Sequence, residues 1–163
     1  IKSYTGVDLS KNMMVIGKAR VQKLPYANKV SFTHASATDI PLDNATVDCV
    51  TMAFGIRNIV DYQTCLQDIY RVLVPGGTVM IMEFSLPKNS VIRWFYLLYF
   101  RRLLPLIGGL ISGDKNAYTY LNKTVETFPY GEAFLADMQD VGFQTESTVL
   151  TCGIATLYRG VKS

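Results

Sequence analysis

The first half of the chain alternates between short apolar runs and segments with helical spacing. Short apolar runs bounded by turn residues indicate strands, whereas apolar residues that recur every three to four positions indicate helices. The predicted strands are 4–8, 30–34, 47–54 and 78–84. The first predicted helix is capped by Ser10 and ends near Val21, with Met13, Met14 and Ile16 toward the core. The second is capped by Asp61 and ends before Pro75-Gly76-Gly77.

The order of these elements predicts an α/β fold. Strands that alternate with helices and are apolar on both faces are typical of a parallel sheet covered on both sides. Near the end of the chain, a helix over about 130–140 stops at Gly142 and is followed by strands over 144–150 and 154–161. Because such a pair resembles a hairpin, the sheet is expected to be mostly parallel with one antiparallel edge strand.

The third quarter of the chain breaks the alternation. Between Lys88 and Lys123 there are six basic residues and one acid, Asp114, among many aromatic residues. Basic and glycine or proline residues interrupt the apolar stretch 91–111, which falls short of the roughly 20 apolar residues of a membrane-spanning helix. We therefore expect one domain over 1–163 with a basic, aromatic-rich helical insert at about 88–123, typical of a membrane surface or an anionic ligand.

Composition narrows the class of protein. Apolar residues make up 49% of the 163 residues and charged residues 18%, which indicates an ordered globular chain. The net charge of +3 does not by itself indicate a nucleic-acid-binding protein. The cysteines are odd in number and widely spaced: Cys49, Cys65 and Cys152. The sequence therefore predicts neither a disulfide framework nor a zinc site, which fits a protein of a reducing compartment.

Candidate binding residues follow the predicted strands, and ligands of open α/β sheets bind beyond the carboxyl ends of strands. Asp8 closes the first strand, where one carboxylate could accept hydrogen bonds from both hydroxyls of a ribose; the alternative is that it caps the next helix. The loop after His34 consists of small residues, and Ser36 or Asp39 could bond the edge of a base; the alternative is an ordinary turn. We expect the lone histidine, His34, to be structural.

Charged residues follow two further strands. Arg57 and Asn58 come after 47–54 in the motif "FGIRN", and Glu83 and Ser85 lie at the end of 78–84 and just beyond it in "MEFSLP". Parallel strands place all four at one edge of the sheet. The alternative to a functional role is a peripheral ion pair between Arg57 and an acid.

Taken in order, these motifs resemble the ubiquinone/menaquinone-biosynthesis C-methyltransferase family. The matching segments are "GVDLSKNM", "FGIRNIVDYQTCLQDIYRVLVPGG", "MEFSLP", "YTYLNKTVETFP" and "DMQDVGF". The resemblance implies a Rossmann-like class I methyltransferase sheet and S-adenosyl-L-methionine as cofactor, with Asp8 on the ribose, Ser36 and Ala37 on the adenine, and Ala53 lining the cofactor cleft. It also implies that the family's first strand and glycine-rich loop are missing from this chain, since they belong just upstream of Ile1.

The resemblance further implies C-methylation of a polyprenylated quinol ring in ubiquinone or menaquinone biosynthesis, without a metal or nucleic acid. Arg57 would stabilise the developing phenolate, since a guanidinium stays protonated and cannot act as a base. Asn58 would orient the second quinol oxygen, and the base is left open among Glu83, Asp8 acting through water, and His34.

A substrate with a polyprenyl tail places the enzyme at a membrane surface, on the cytoplasmic face in a bacterium or the matrix side in a mitochondrion. The aromatic residues beside the arginines of the insert suit an interfacial helix, although core packing is an equal alternative; these are Trp94, Phe95, Tyr96, Tyr99 and Phe100, with Tyr118 and Tyr120 nearby. A homodimer or a biosynthetic complex is left open. Two other functions remain: methylation of a different small molecule, and a truncated, non-catalytic protein that binds a membrane or a partner.

Overall fold

A computed structural model describes residues 2–104, 106, 120–121 and 124–163. The strands are β1 Tyr4–Asp8, β2 Val30–His34, β3 Val47–Ala53, β4 Leu73–Phe84, β5 Phe143–Leu150 and β6 Ala155–Lys162. The helices are α1 Lys11–Val21, α2 Tyr62–Val72, α3 Ser90–Leu98 and α4 Glu132–Val141. Strands and helices therefore lie close to where the hydrophobic pattern predicts them.

The strands form two sheets that are not hydrogen-bonded to each other. In one, β1 pairs in parallel with β2; in the other, the order is β3-β4-β6-β5. β3 and β4 are parallel, and β6 is antiparallel to both β4 and β5. The sheets are thus mostly parallel with one antiparallel strand, as predicted. Its predicted position is wrong, because β6 lies inside the sheet and the edge strand is β5.

The sheet β1-β2 and the sheet β3-β4-β6-β5 share no strand pairing. The resemblance to class I methyltransferases, whose first strand is central in their sheet, implies that this strand would lie between β1 and β3, and we call this break between the two sheets the gap. β3 is an edge strand of its sheet in this structure.

Local signals fix the ends of the helices. The Ser10 hydroxyl accepts a hydrogen bond from the backbone N–H of Met13 at the start of α1, and the Asp61 carboxylate accepts one from Thr64 at the start of α2. Gly142 ends α4 in the left-handed conformation, with φ 112°. α2 ends at Val72, ahead of the proline and glycines, as predicted.

β4 begins five residues earlier than predicted, at Leu73 rather than residue 78. Leu73 pairs with Val47, and the register then shifts so that Cys49 pairs with Thr78. Gly76, with φ 77°, lies within the segment that this shift leaves out of register. A glycine tolerates that conformation at little steric cost, which is why the Pro-Gly-Gly segment interrupts the pairing rather than the strand.

The main core lies between the four-stranded sheet and helices α2 and α4. Its fully buried side chains come from both layers; they include Ile56, Leu66, Ile69, Val79, Ile81, Phe134, Met138 and Tyr158. A second, smaller cluster lies under α3 and is built from Leu86, Tyr96, Phe100 and Val125.

Both faces of the sheet are predicted to be covered, but among the described residues no element covers the face of β3 that carries Cys49, Thr51 and Ala53, which are exposed. Helix α1 packs on β1 and β2 instead. Of the predicted core residues of α1, Met14 is buried, whereas Met13 and Ile16 are exposed. The sequence pattern identifies apolar faces, but it does not show whether another element is present to cover them.

From Ser90 onward, the described residues of the insert are helical. α3 continues into a wide π-helical turn over Tyr99–Leu103, and Tyr118 lies outside the described residues. None of the described helices has the length and hydrophobicity needed to span a membrane.

Candidate active site

Asp8 lies at the carboxyl end of β1, directly across from His34 of β2. Its Oδ1 accepts a hydrogen bond from the backbone N–H of Ser10 at 2.7 Å, so it helps to shape the start of α1. The residue stays exposed, and a carboxylate has acceptor capacity for further partners. His34 Nε2 lies 2.8 Å from the carbonyl oxygen of Leu9, which supports a structural role for the histidine.

Ser36 and Ala37 form a tight, half-buried turn after β2. The Ser36 hydroxyl accepts a hydrogen bond from the backbone N–H of Thr38 at 3.2 Å and lies 2.7 Å from the Thr38 hydroxyl. Ala37 packs against the main core. The serine side chain is therefore engaged within its own turn, so the backbone is the freer hydrogen-bonding partner for a ligand at this point.

An ion pair that the sequence did not indicate anchors the chain beyond this turn. Arg71 of α2 donates to the carbonyl oxygens of Ile40 and Leu42, each at 2.8 Å, and to Asp68 Oδ1 at 2.6 Å. Asp68 Oδ2 also accepts the backbone N–H of Ile40 at 2.5 Å. Burial alone would raise the pKa of Asp68, but the hydrogen bonds from Arg71 and Ile40 outweigh it and hold the pKa below its ordinary value.

Arg57 lies in a short 3₁₀ turn, Ile56–Asn58, that follows β3. Its Nη1 donates to Glu83 Oε1 at 2.7 Å and to the carbonyl oxygen of Phe54 at 2.6 Å. The two side chains are 9% and 1% exposed, so the ion pair is buried rather than peripheral. A buried ion pair of this kind adds little net stability, but it fixes the position of the guanidinium.

Phe54 shapes the turn that carries Arg57. Its φ of 53° is in the left-handed region, which is uncommon for a residue other than glycine. The strained conformation turns its carbonyl toward Arg57 and toward the Asn58 amide, which donates to it at 3.4 Å. The guanidinium carbon of Arg57 lies 5.2 Å from the centre of the Phe84 ring, which packs against Phe54. Arg57 is thus held by charge, hydrogen bonds and an aromatic face.

Glu83 and Ser85 have structural partners. Glu83 accepts hydrogen bonds from the backbone N–H groups of Phe84 and Arg57 in addition to the ion pair. The Ser85 hydroxyl donates to the carbonyl oxygen of Gly153 and lies 2.9 Å from the Thr156 hydroxyl. Of the four residues predicted at this edge, Arg57 and Glu83 are in direct contact, Asn58 is exposed, and Ser85 binds β6 and the turn before it.

Ala53 ends β3 and lines an open, apolar depression of about 260 Å³ on the uncovered face of the sheet. The other lining residues come from β3, β4 and β6: Thr51, Met52, Met80, Met82 and Leu157. Asp8 and Ser36 lie at the ends of strands of the two-stranded sheet, and Ala53 and Arg57 at the end of a strand of the four-stranded sheet. The structure therefore places these four candidate residues at the carboxyl ends of parallel strands in two separate sheets. Among the described residues, no cluster of histidine, cysteine or acidic side chains could hold a metal ion.

Residues 2–162 match the model of the ubiE/COQ5 methyltransferase family. This chain belongs to that family. It is 45% identical to the ubiquinone/menaquinone biosynthesis C-methyltransferase UbiE of Geotalea daltonii, over 98% of this chain and 68% of the relative. It is 39% identical to a demethylmenaquinone methyltransferase of Thermus thermophilus, over 95% of this chain and 70% of the relative.

Solved structures share the fold at low sequence identity. An S-adenosylmethionine-dependent methyltransferase of Thermotoga maritima, described as a possible histamine N-methyltransferase, superimposes with a TM-score of 0.64 at 17% identity, covering 98% of this chain and 73% of that one. One from Aquifex aeolicus gives a TM-score of 0.65 at 16% identity, covering 99% and 69%. The predicted methyltransferase class, Rossmann-like fold and S-adenosyl-L-methionine cofactor are thereby confirmed for the family of this chain.

Proposed function

We propose that this chain takes part in C-methylation of the ring of a polyprenylated quinol, with S-adenosyl-L-methionine as methyl donor. The observation that carries the proposal is the buried Arg57 at the carboxyl end of β3, held in place by Glu83. One relative is named as a ubiquinone/menaquinone biosynthesis C-methyltransferase, and another as a demethylmenaquinone methyltransferase. A fixed positive charge is what a quinol needs as its hydroxyl ionises.

The residues around the gap fit the cofactor. Asp8 would accept hydrogen bonds from the ribose, Ala37 and the backbone around Ser36 would contact the adenine, and Ala53 would line the cleft. The exposed Asp8 carboxylate and the small Ala53 side chain at the apolar depression both leave room for a ligand. When bound, the cofactor supplies an activated methyl group on a sulfonium.

The protein's own contribution is to orient the quinol and to favour its phenolate. Ionisation of the hydroxyl pushes electron density into the ring, and a ring carbon supplies the electron pair for the new carbon–carbon bond. The electrons of the broken sulfur–carbon bond stay on sulfur, and the ring carbon then loses its proton to solvent. Arg57 stabilises the phenolate, and the exposed Asn58 amide is available to the second quinol oxygen. Glu83 is a poor candidate for the base, because it is fully buried and already accepts hydrogen bonds from Arg57 and Phe84.

Methyl transfer tests the proposal. The chain is incubated with methyl-labelled S-adenosyl-L-methionine and a short-tailed demethylated quinol, and the label is followed by mass spectrometry. We expect label in the quinol. Calorimetry with S-adenosylhomocysteine separates the alternatives: binding without transfer indicates a different small-molecule acceptor, whereas no binding favours the non-catalytic protein.

We also propose that α3 rests on a membrane surface, from which a polyprenylated substrate would enter. Val91, Trp94, Phe95 and Leu98 lie on one stripe of the helix and are all exposed, Trp94 and Phe95 by 59% and 60%. Arg101 pairs with Glu126, which leaves the exposed Arg102 as the freer cation at this end of the insert. An apolar stripe with tryptophan beside cations is typical of an interfacial helix.

Co-sedimentation with liposomes that contain anionic lipid tests the role of α3. The variant Trp94→Ser/Phe95→Ser is expected to lose most of its membrane binding, because both side chains are exposed and their replacement leaves the core intact. The matched control is Val60→Ser/Val149→Ser, which removes exposed apolar side chains elsewhere on the surface. Equal binding by both variants would contradict the proposal.

A further inference from the structure

Two buried polar atoms near α3 have no hydrogen-bond partner among the described residues. The Tyr96 hydroxyl has none although the residue is 8% exposed, and Arg57 Nε has none although its side chain is 9% exposed. Buried hydroxyl and guanidinium groups in proteins are almost always paired, because leaving one unpaired costs stability. Two such atoms therefore need an explanation.

The two side chains belong to one aromatic neighbourhood. Tyr96 stacks on Phe100 with ring centres 5.0 Å apart, and the Phe100 ring centre lies 6.4 Å from that of Phe84. The guanidinium carbon of Arg57 lies 5.2 Å from the centre of the Phe84 ring. Burial raises the pKa of Tyr96 to about 12, while the positive charge of Arg57 opposes that rise. Tyr96 therefore stays a neutral hydrogen-bond donor near neutral pH and is within electrostatic reach of Arg57.

We propose that the Tyr96 hydroxyl and Arg57 Nε–H together bind the reacting oxygen of the quinol ring. The inference rests on the proposed function and adds to it a second donor for the same oxygen. A phenolate can accept both hydrogen bonds at once. The apolar side chains beside the two donors are Phe84 and Phe100, whose ring centres are 6.4 Å apart.

The ion pair explains why Nε is the free atom. Glu83 and the Phe54 carbonyl both accept hydrogen bonds from Nη1 of Arg57, which fixes the guanidinium plane and leaves Nε–H without a partner in the part of the chain that the structure describes. Tyr96 is fixed by its stacking on Phe100. Donors held in place before the substrate arrives stabilise a developing oxyanion more than mobile ones, because they need no reorganisation during the reaction.

The variant Tyr96→Phe tests the proposal because it removes the hydroxyl oxygen and keeps the ring. We expect kcat for methyl transfer to a demethylated quinol to fall by about 10²-fold, with unchanged affinity for S-adenosylhomocysteine. The melting temperature should be equal or higher, since the variant no longer buries an unpaired hydroxyl. Tyr70→Phe, a half-buried tyrosine at the far end of α2, is the matched control and should keep wild-type activity.

A binding measurement separates this inference from the function on which it rests. Para-nitrophenol, whose phenolate absorbs visible light and whose neutral form does not, is titrated with the wild type and with Tyr96→Phe. We expect the wild type to lower the apparent pKa of the bound phenol, and Tyr96→Phe to lower it less. If the wild type shows this shift and yet does not methylate a quinol, the phenolate site stands and the proposed substrate is wrong.

Three results would overturn the role of Tyr96. One is full methyl transfer by Tyr96→Phe beside an active wild type, and another is the same para-nitrophenol pKa with both proteins. The third is a marked fall in melting temperature in Tyr96→Phe, which would show that the hydroxyl serves the fold.

Discussion

The pairing of Arg57 with Glu83 is the residue-scale feature on which the site depends. Both charges are buried, the arginine by about nine-tenths and the glutamate almost completely. Removing one partner of a buried pair leaves an uncompensated charge, which is strongly destabilising even where the intact pair adds little. The pair therefore explains how an arginine can be kept inside a protein and still have one N–H free.

The variant Glu83→Gln tests the burial of this pair. We expect the free energy of unfolding to fall by about 3 kcal/mol or more, because the Arg57 guanidinium loses its counter-charge in a buried site. Urea unfolding followed by circular dichroism provides the measurement. Glu146→Gln breaks the exposed pair with Arg159 and should change stability by no more than about 1 kcal/mol. Equal effects of the two substitutions would show that the Arg57–Glu83 pair is solvated.

The sequence predicts part of this arrangement. The parallel strands predict that Arg57 and Glu83 lie at one edge of the sheet, and an ion pair between Arg57 and an acid is the alternative to a functional role. The burial of the ion pair and the inward position of Tyr96 could not be predicted, because Trp94, Phe95 and Tyr96 are consecutive aromatic residues and only packing decides which one faces inward. The strained φ of Phe54 likewise has no signal in its residue type.

At the scale of elements, α2 anchors the loop that follows the predicted adenine-contacting turn. Arg71 and Asp68 on α2 hold three backbone groups of Ile40 and Leu42. Oppositely charged residues three positions apart, such as Asp68 and Arg71, are common on helix surfaces, so their spacing does not indicate that they bind the loop. The regular apolar spacing of α2, in contrast, was enough to place the helix itself.

The pH dependence of stability tests the Asp68 anchor. The pKa of Asp68 is lower in the folded chain than its ordinary value of 3.8. The contribution of Asp68 to the free energy of unfolding is therefore complete when the pH is well above 3.8, and it is lost as the pH falls through the lower pKa of the folded chain. Near neutral pH, Asp68→Asn should reduce the free energy of unfolding by about 1–2 kcal/mol, a figure limited by the partial exposure of Arg71. The deficit should shrink in acid.

Denaturant unfolding of the wild type and of Asp68→Asn across an acid-to-neutral series provides this measurement. Asp140→Asn, which alters an exposed carboxylate on α4, is the control and should leave the curve nearly unchanged. A deficit that is the same at every pH would contradict the assignment, since the loss would then come from something other than the ionised Asp68.

At the scale of the whole molecule, the candidate site draws on two sheets that are not hydrogen-bonded to each other. The proposed cofactor-binding residues Asp8 and Ser36 belong to β1 and to the turn after β2, whereas Ala53 and Arg57 belong to β3 and to the turn that follows it. Order and direction of the strands were largely predictable from hydrophobic patterning and from the family resemblance. The exposure of β3 could not be predicted, because the sequence of an apolar strand face is the same whether or not another element covers it.

The position of the transferred methyl group tests the central claim most directly. Carbon-13 NMR of the product formed from methyl-labelled S-adenosyl-L-methionine and a demethylated quinol distinguishes a methyl on a ring carbon from one on a ring oxygen. Stabilisation of a phenolate by Arg57 leads us to expect the label on the carbon next to the ionised hydroxyl. Label on an oxygen, or an unlabelled quinol from a chain that binds S-adenosylhomocysteine, would contradict the claim.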